Sequence, residues 1–197
     1  MKVSISPSIV IMILIYAASG KLNIIAIPII AAAIHEAGHL LCASVLSIPL
    51  KRIKLNIFGA AIETDPLSCT YLKEALLTLS GPLFNVLTAI IILAAIRGRL
   101  YDAPISVRYF FVSSISLAFI NMLPIDSFDG GRLLSCMLIS KYSPNSVYKI
   151  IEYLSLLFVF ILWSFSIYLL IKTGSSLSLF IFSGVLFAHI FSKSDLR

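Results

Sequence analysis

Apolar residues run through the chain in blocks the length of membrane spans, parted by short polar breaks. Residues 3–19 predict a first span, broken at Gly20-Lys21. Residues 22–48 predict a second, kinked by Pro28 and ended by Pro49. A third span follows over 71–96, a fourth over 106–122, a fifth over 147–171 and a sixth over 177–191. Residues 133–142 read as a short amphipathic helix. Two stretches break this rhythm. From Arg52 to Ile57 polar and apolar residues alternate, and Phe58-Gly59-Ala60 supplies a turn, which predicts a short β-hairpin at the membrane surface between the second and third spans. An irregular basic loop is the competing reading there. In residues 121–132 an apolar helix stops at Pro124, two aspartates follow, and Gly130-Gly131 lets the backbone turn and restart. The fold class expected is an all-α polytopic membrane protein with six transmembrane helices and that one hairpin, a single domain over residues 1–197.

Composition agrees with the pattern. With 59% hydrophobic and 12% charged residues and a mean hydropathy of +1.04, a soluble globular domain is excluded. The net charge of +6 raises nucleic acid as a partner. The basic residues flank the apolar blocks as membrane anchors do, with no basic face or stacking aromatics, so the lipid bilayer is the expected partner and nucleic acid is not. Six spans put both termini on one side. If that side is cytoplasmic, Lys21, Arg97, Arg99, Arg108 and Lys172 fall outside and the other ten of the fifteen Lys and Arg inside, as the positive-inside rule favours. The start of the chain resembles a signal peptide with a cleavage site at Ala17-Ala18-Ser19, but the spans that follow favour a retained first span. Cys42, Cys69 and Cys136 are odd in number and lack a C-x-x-C spacing, so they predict neither a disulfide framework nor a zinc knuckle.

The chemistry sits in the second span as His35-Glu36-Ala37-Gly38-His39. On a helix, residues four apart stack on one face, so both imidazoles can meet a single divalent ion, with Glu36 a quarter turn away in reach of a water. A histidine on an apolar helix is more often a packed core residue. A carboxylate at bilayer depth costs about 3 kcal/mol on insertion scales, a cost without structural return, and this favours a metal site. Two histidines need a third ligand. Asp126 and Asp129 are the candidates, because a broken polar segment at membrane depth is tolerated where it lines an enclosed cavity. Cys42, three residues after His39, is weighed as a stray ligand and read as a packing residue; His189 is read as interfacial. Gly81-Pro82 sets a helix breaker within the third span, and Asn85 is read as an amide that bonds a neighbouring helix.

Three motifs in this order, H-E-x-x-H at residues 35–39, G-P-x-x-N at 81–85 and N-x-x-P-x-x-x-x-D-G at 121–130, resemble the site-2 protease family of intramembrane zinc metallopeptidases, peptidase family M50. The resemblance covers residues 22–135, the expected catalytic core, between a first span over 1–20 and a C-terminal helical pair over 147–192. It implies one Zn²⁺ per chain on His35, His39 and Asp129, leaving Asp126 a bystander, with Glu36 as general base. It implies a substrate-binding set of Asn121 and Pro124, with which Asn85 is grouped. The implied substrate is a transmembrane or membrane-associated protein cleaved in regulated proteolysis, in a prokaryotic cell membrane. Phe128 stands where the family usually has leucine. Residues 51–63 look most like the sporulation-type (stage IV sporulation protein FB-like) branch, although no PDZ domain interrupts this sequence and no CBS domain follows the sixth span. A divalent-metal transporter using the same side chains is the rival expectation. Transporters tend to carry such groups on several spans or show inverted repeats; here the fifth and sixth spans lack such groups apart from Glu152 and His189, and no repeat is visible. A catalytically dead scaffold would have no use for Glu36.

Overall fold

The computed structural model describes residues 2–5, 22–56, 59–64, 70–173 and 177–194, which divide into two compact units, Met1–Met122 and Leu123–Arg197. In the first unit, helix α1 spans Leu22–Val45, α2 Tyr71–Ala95 and α3 Ile105–Asn121. All three pack against one another. At 1.5 Å per residue, the 24 residues of α1 and 25 of α2 reach about 36–38 Å, enough to cross a hydrocarbon core of about 30 Å. Both helices continue through a proline, Pro28 and Pro82.

α1 ends because Ser47 takes a left-handed backbone (φ 53°). The Ile48 amide then donates to Ala43 O (2.8 Å) and the Ser47 amide to Ser44 O (3.2 Å), a Schellman cap. Its hydrophobic contact is made by Ile48, which packs with Ala43 and with Leu77 of α2. Pro49 follows and prevents any resumption. The second span is therefore three residues shorter than its apolar run. α2 begins at the N-cap Thr70, whose hydroxyl accepts the Lys73 amide, and Lys73 Nζ donates to the Leu46 carbonyl at the end of α1 (3.0 Å). A cation on the negative end of a helix is favourable, and here it ties the end of one helix to the start of the next.

Strand β1 (Lys2–Ile5) lies parallel to β2 (Leu50–Asn56), and β2 pairs antiparallel with β3 (Gly59–Thr64), Asn56 opposite Gly59 and Leu50 opposite Thr64. The sheet order is β1-β2-β3. The expected start of the first span is thus corrected: Lys2-Val3-Ser4-Ile5 alternates polar and apolar residues and is a strand, not helix. The rest of that span (residues 6–19), the break after it at Gly20-Lys21 and Ile57-Phe58 in the expected turn lie outside the described residues, as do Cys69 and the side chain of His189.

The second unit holds α4 (Asp129–Leu138), α5 (Pro144–Thr173) and α6 (Leu177–Ser194). α5 packs on α6 through Trp163, which stacks near Phe180 and Phe187 with centroids 6.3 and 6.1 Å apart, and through a buried Ser166–Ser183 hydroxyl pair at 3.3 Å. α4 packs on α5.

Polarity is distributed as in a lipid-facing protein. Among the described residues His35, His39, Asn85, Ser114, Ser155, Ser166 and Ser183 are buried, while Leu87, Ile91, Phe119, Phe160 and Ile171 are exposed. Three described helical segments are long and apolar enough to cross a membrane, Ala26–Val45, Tyr71–Ala95 and Pro144–Thr173. Ile105–Asn121 and Leu179–Ala188 are apolar but shorter.

Candidate metal centre

His35 and His39 occupy one face of α1 and are both about 95% buried, against α2. Behind His39, Nδ1 lies 2.7 Å from the Leu77 carbonyl oxygen. A carbonyl only accepts, so Nδ1 carries the proton and Nε2 is left with a lone pair. The Ser80 hydroxyl donates to the same carbonyl (2.6 Å) and stands 3.4 Å from Nδ1. Behind His35, Nδ1 lies 3.3 Å from Asn85 Nδ2, and Asn85 is fully buried. The amide expected to bond a neighbouring helix does so, at one of the two histidines.

The two Nε2 atoms stand 3.2 Å apart, with the rings nearly perpendicular. A tetrahedral ion with metal–nitrogen bonds of 2.0–2.1 Å would set two nitrogens about 3.3 Å apart. Space for this comes from two glycines. A Cβ on Gly81 would strike His39 Nε2, and one on Gly38 would come within 2.8 Å of the Ser80 carbonyl and 2.9 Å of the Phe84 side chain. Neither role is visible along the sequence, where Gly81-Pro82 reads as a helix breaker. Gly81 clears the space in front of the imidazoles instead.

In the second unit, Asp129 is the first residue of α4, where a carboxylate is favoured by the helix dipole. The chain reaches it through a tight reversal in which Phe128 N donates to Ile125 O (2.8 Å). Gly131 is required there, since a Cβ would collide with the Ile125 carbonyl. The Asp126 amide donates to Ser155 Oγ (2.8 Å), and Asp126 lines a small cavity with Tyr148, Ile151, Glu152, Ser155 and Ile190. Asn121 closes α3 and Pro124 follows three residues on, both half-buried.

His35 and His39 of the first unit present two Nε2 atoms at the spacing of two ligands on one ion, and Asp129 of the second unit is the third ligand expected from the 121–130 motif. Cys42 packs against the Ala43–Ile48–Leu77 cluster as a small apolar residue would. Two imidazoles and a carboxylate are borderline donors suited to zinc, so the donor chemistry and the spacing both fit. Glu36, next to His35, is half-buried, with Oε2 sealed from solvent.

Comparisons with known proteins point the same way. Residues 101–162 match peptidase family M50, a segment that contains Asp129 and the whole 121–130 motif. The chain is 30% identical over 155 residues to stage IV sporulation protein FB of Bacillus subtilis (strain 168), covering 77% of this chain and 53% of that one. It thus spans about half the length of that relative. The site-2 protease from Methanocaldococcus jannaschii superposes with a TM-score of 0.70 at 19% identity, covering 98% of this chain and 90% of that one, which shows a shared fold.

Proposed function

The chain belongs to peptidase family M50, and on that premise we propose that it is an intramembrane zinc metalloprotease acting on transmembrane or membrane-associated proteins. The observation that carries this reading is the buried pair of His35 and His39, whose Nε2 atoms have the spacing of two ligands on one ion, with Asp129 assigned as the third ligand from the 121–130 motif. Three protein ligands are the pattern of a catalytic rather than a structural site. When bound, zinc supplies Lewis-acid chemistry, polarising a peptide carbonyl and acidifying water.

The chain's own residues do the rest. His35 and His39 hold the ligand geometry, each fixed from behind on α2. The carboxylate of Glu36 removes a proton from the attacking water as its oxygen bonds to the peptide carbon. As the carbon–nitrogen bond breaks, the same carboxyl group delivers that proton to the leaving amine. Asn121 and Pro124 shape the substrate cleft. A substrate helix hides its carbonyls in i to i−4 hydrogen bonds, so the scissile segment must unwind. Among the described residues β3 pairs on one side only, with β2, and it is the strand along which an unwound segment adds. Cleavage that survives proline at both Ala61 and Ile62 would remove this last part.

The chain crosses the membrane six times, with the hairpin at the membrane surface and both termini cytoplasmic. The test of function is co-expression with candidate single-span substrates, comparing wild type with Glu36→Gln. A protease loses cleavage while keeping zinc. A divalent-metal transporter built on the same side chains would show no cleavage in either and metal flux in both.

A further inference from the structure

We propose that Ser155 of α5 is a positioning residue, which holds the peptide group between Ile125 and Asp126 and through it the start of α4, where Asp129 stands. This rests on the reading of Asp129 as a metal ligand.

Residues 123–128 reverse the chain ahead of α4 with neither helix nor sheet to satisfy their backbone groups. Groups that leave water need partners all the same. The peptide group between Ile125 and Asp126 has one at each end. Its carbonyl accepts the Phe128 amide (2.8 Å), and its N–H donates to Ser155 Oγ (2.8 Å). Because a peptide group is planar, its two ends turn together, so a rotation that frees the N–H also swings the carbonyl away from Phe128. Phe128 is buried and immediately precedes Asp129. Gly131 lies so close to the same carbonyl that a Cβ there would collide with it. The first turn of α4 is thus moulded on one peptide plane, and Ser155 fixes that plane from another helix.

The roles in this bond are settled by chemistry. A backbone N–H only donates, so Ser155 Oγ accepts from Asp126 and gives its own proton to the Ile151 carbonyl one turn back (2.7 Å). Ser155 and Ile125 are both 0% exposed. A cavity of about 20 Å³ adjoins Ser155, with room for a water. In Ser155→Ala a water can enter and take the amide, so the informative comparison is between two variants that fill the site alike.

The experiment uses the full ¹⁵N-labelled chain in detergent micelles. Chelator competition reads zinc affinity, and amide hydrogen exchange of the metal-free protein reads the peptide plane. Ser155→Thr, whose hydroxyl can still bond the carbonyl one turn back, is expected to keep wild-type zinc affinity. Ser155→Val has the same shape without the oxygen. It is expected to lower that affinity about 10-fold, the lower end of what an outer partner is worth to a metal site. In Ser155→Val the Asp126 and Phe128 amides both exchange faster than in the wild type. Ser166→Ala removes an equally buried hydroxyl from the same helix, one bonded to the Trp163 carbonyl and Ser183, and leaves both measurements at wild type. Equal zinc affinities in the Thr and Val variants, or a loss in Ser166→Ala as large as that in Ser155→Val, overturns the proposal alone. So does faster exchange at Asp126 with none at Phe128. A wild type that takes up no zinc, or an Asp129→Ala that binds it as the wild type does, overturns the metal reading and the proposal together. Should Ser155→Val fail to fold, Ser155→Ala takes its place, and unchanged exchange at Phe128 with wild-type zinc affinity there overturns the proposal.

Discussion

Gly81 of α2 faces the imidazole of His39 so closely that a single added methyl group would strike its Nε2. The position is occupied by helix backbone on one side and a buried ring on the other, so neither can retreat cheaply. Gly81→Ala is expected to abolish zinc binding and to cost about 1–3 kcal/mol of stability, as overpacking of a close interface does. Equilibrium dialysis against zinc and thermal unfolding in detergent measure the two effects separately.

The two aspartates of the 121–132 segment separate cleanly in this account. Asp129→Ala should weaken zinc binding at least about 100-fold, since it removes a ligand outright where loss of a supporting partner alone costs 10- to 100-fold. Asp126→Ala, at a residue that lines a cavity with Tyr148 and Glu152, should leave zinc affinity unchanged. Chelator competition on the purified variants checks both.

The candidate metal ligands are more legible in the sequence than the scaffold that positions them. H-E-x-x-H is legible because helical spacing alone stacks His35 over His39. The roles of Gly81, Ser80 and the Leu77 carbonyl are not, because each is defined by a ring on another helix. Asn85 is readable as an amide seeking a neighbouring helix, but its target, His35 Nδ1, is not. At the N-terminus the apolar average over residues 3–19 conceals the period-two alternation of Lys2–Ile5, whose strand partner lies some fifty residues on. The end of α1 was obscured for a related reason. Leu46, Ser47 and Ile48 continue an apolar run, and only the positive φ of Ser47 marks the stop.

That stop makes its own prediction. A non-glycine residue in the left-handed region carries about 1–2 kcal/mol of strain that glycine does not. Ser47→Gly should therefore stabilise the protein by about 1 kcal/mol and leave zinc affinity unchanged. Denaturant titration in mixed micelles is the measurement.

In the second unit the buried Ser166–Ser183 pair bridges α5 and α6 at 3.3 Å. Ser166→Ala should cost only about 0.6 kcal/mol, the average for a side-chain hydrogen bond between membrane helices, because Trp163 and its two phenylalanine neighbours carry most of that contact. The same titration, compared with Trp163→Ala, ranks the two contributions.

The central claim is that two histidines of α1 and the first residue of α4 hold one zinc ion. X-ray absorption at the zinc edge of the purified full chain tests it most directly. The account gives one zinc per chain with only nitrogen and oxygen neighbours at about 2.0–2.2 Å, two of them imidazoles, and loss of that signal in Asp129→Ala. A sulfur neighbour at about 2.3 Å, or a spectrum unaltered by Asp129→Ala, would contradict it.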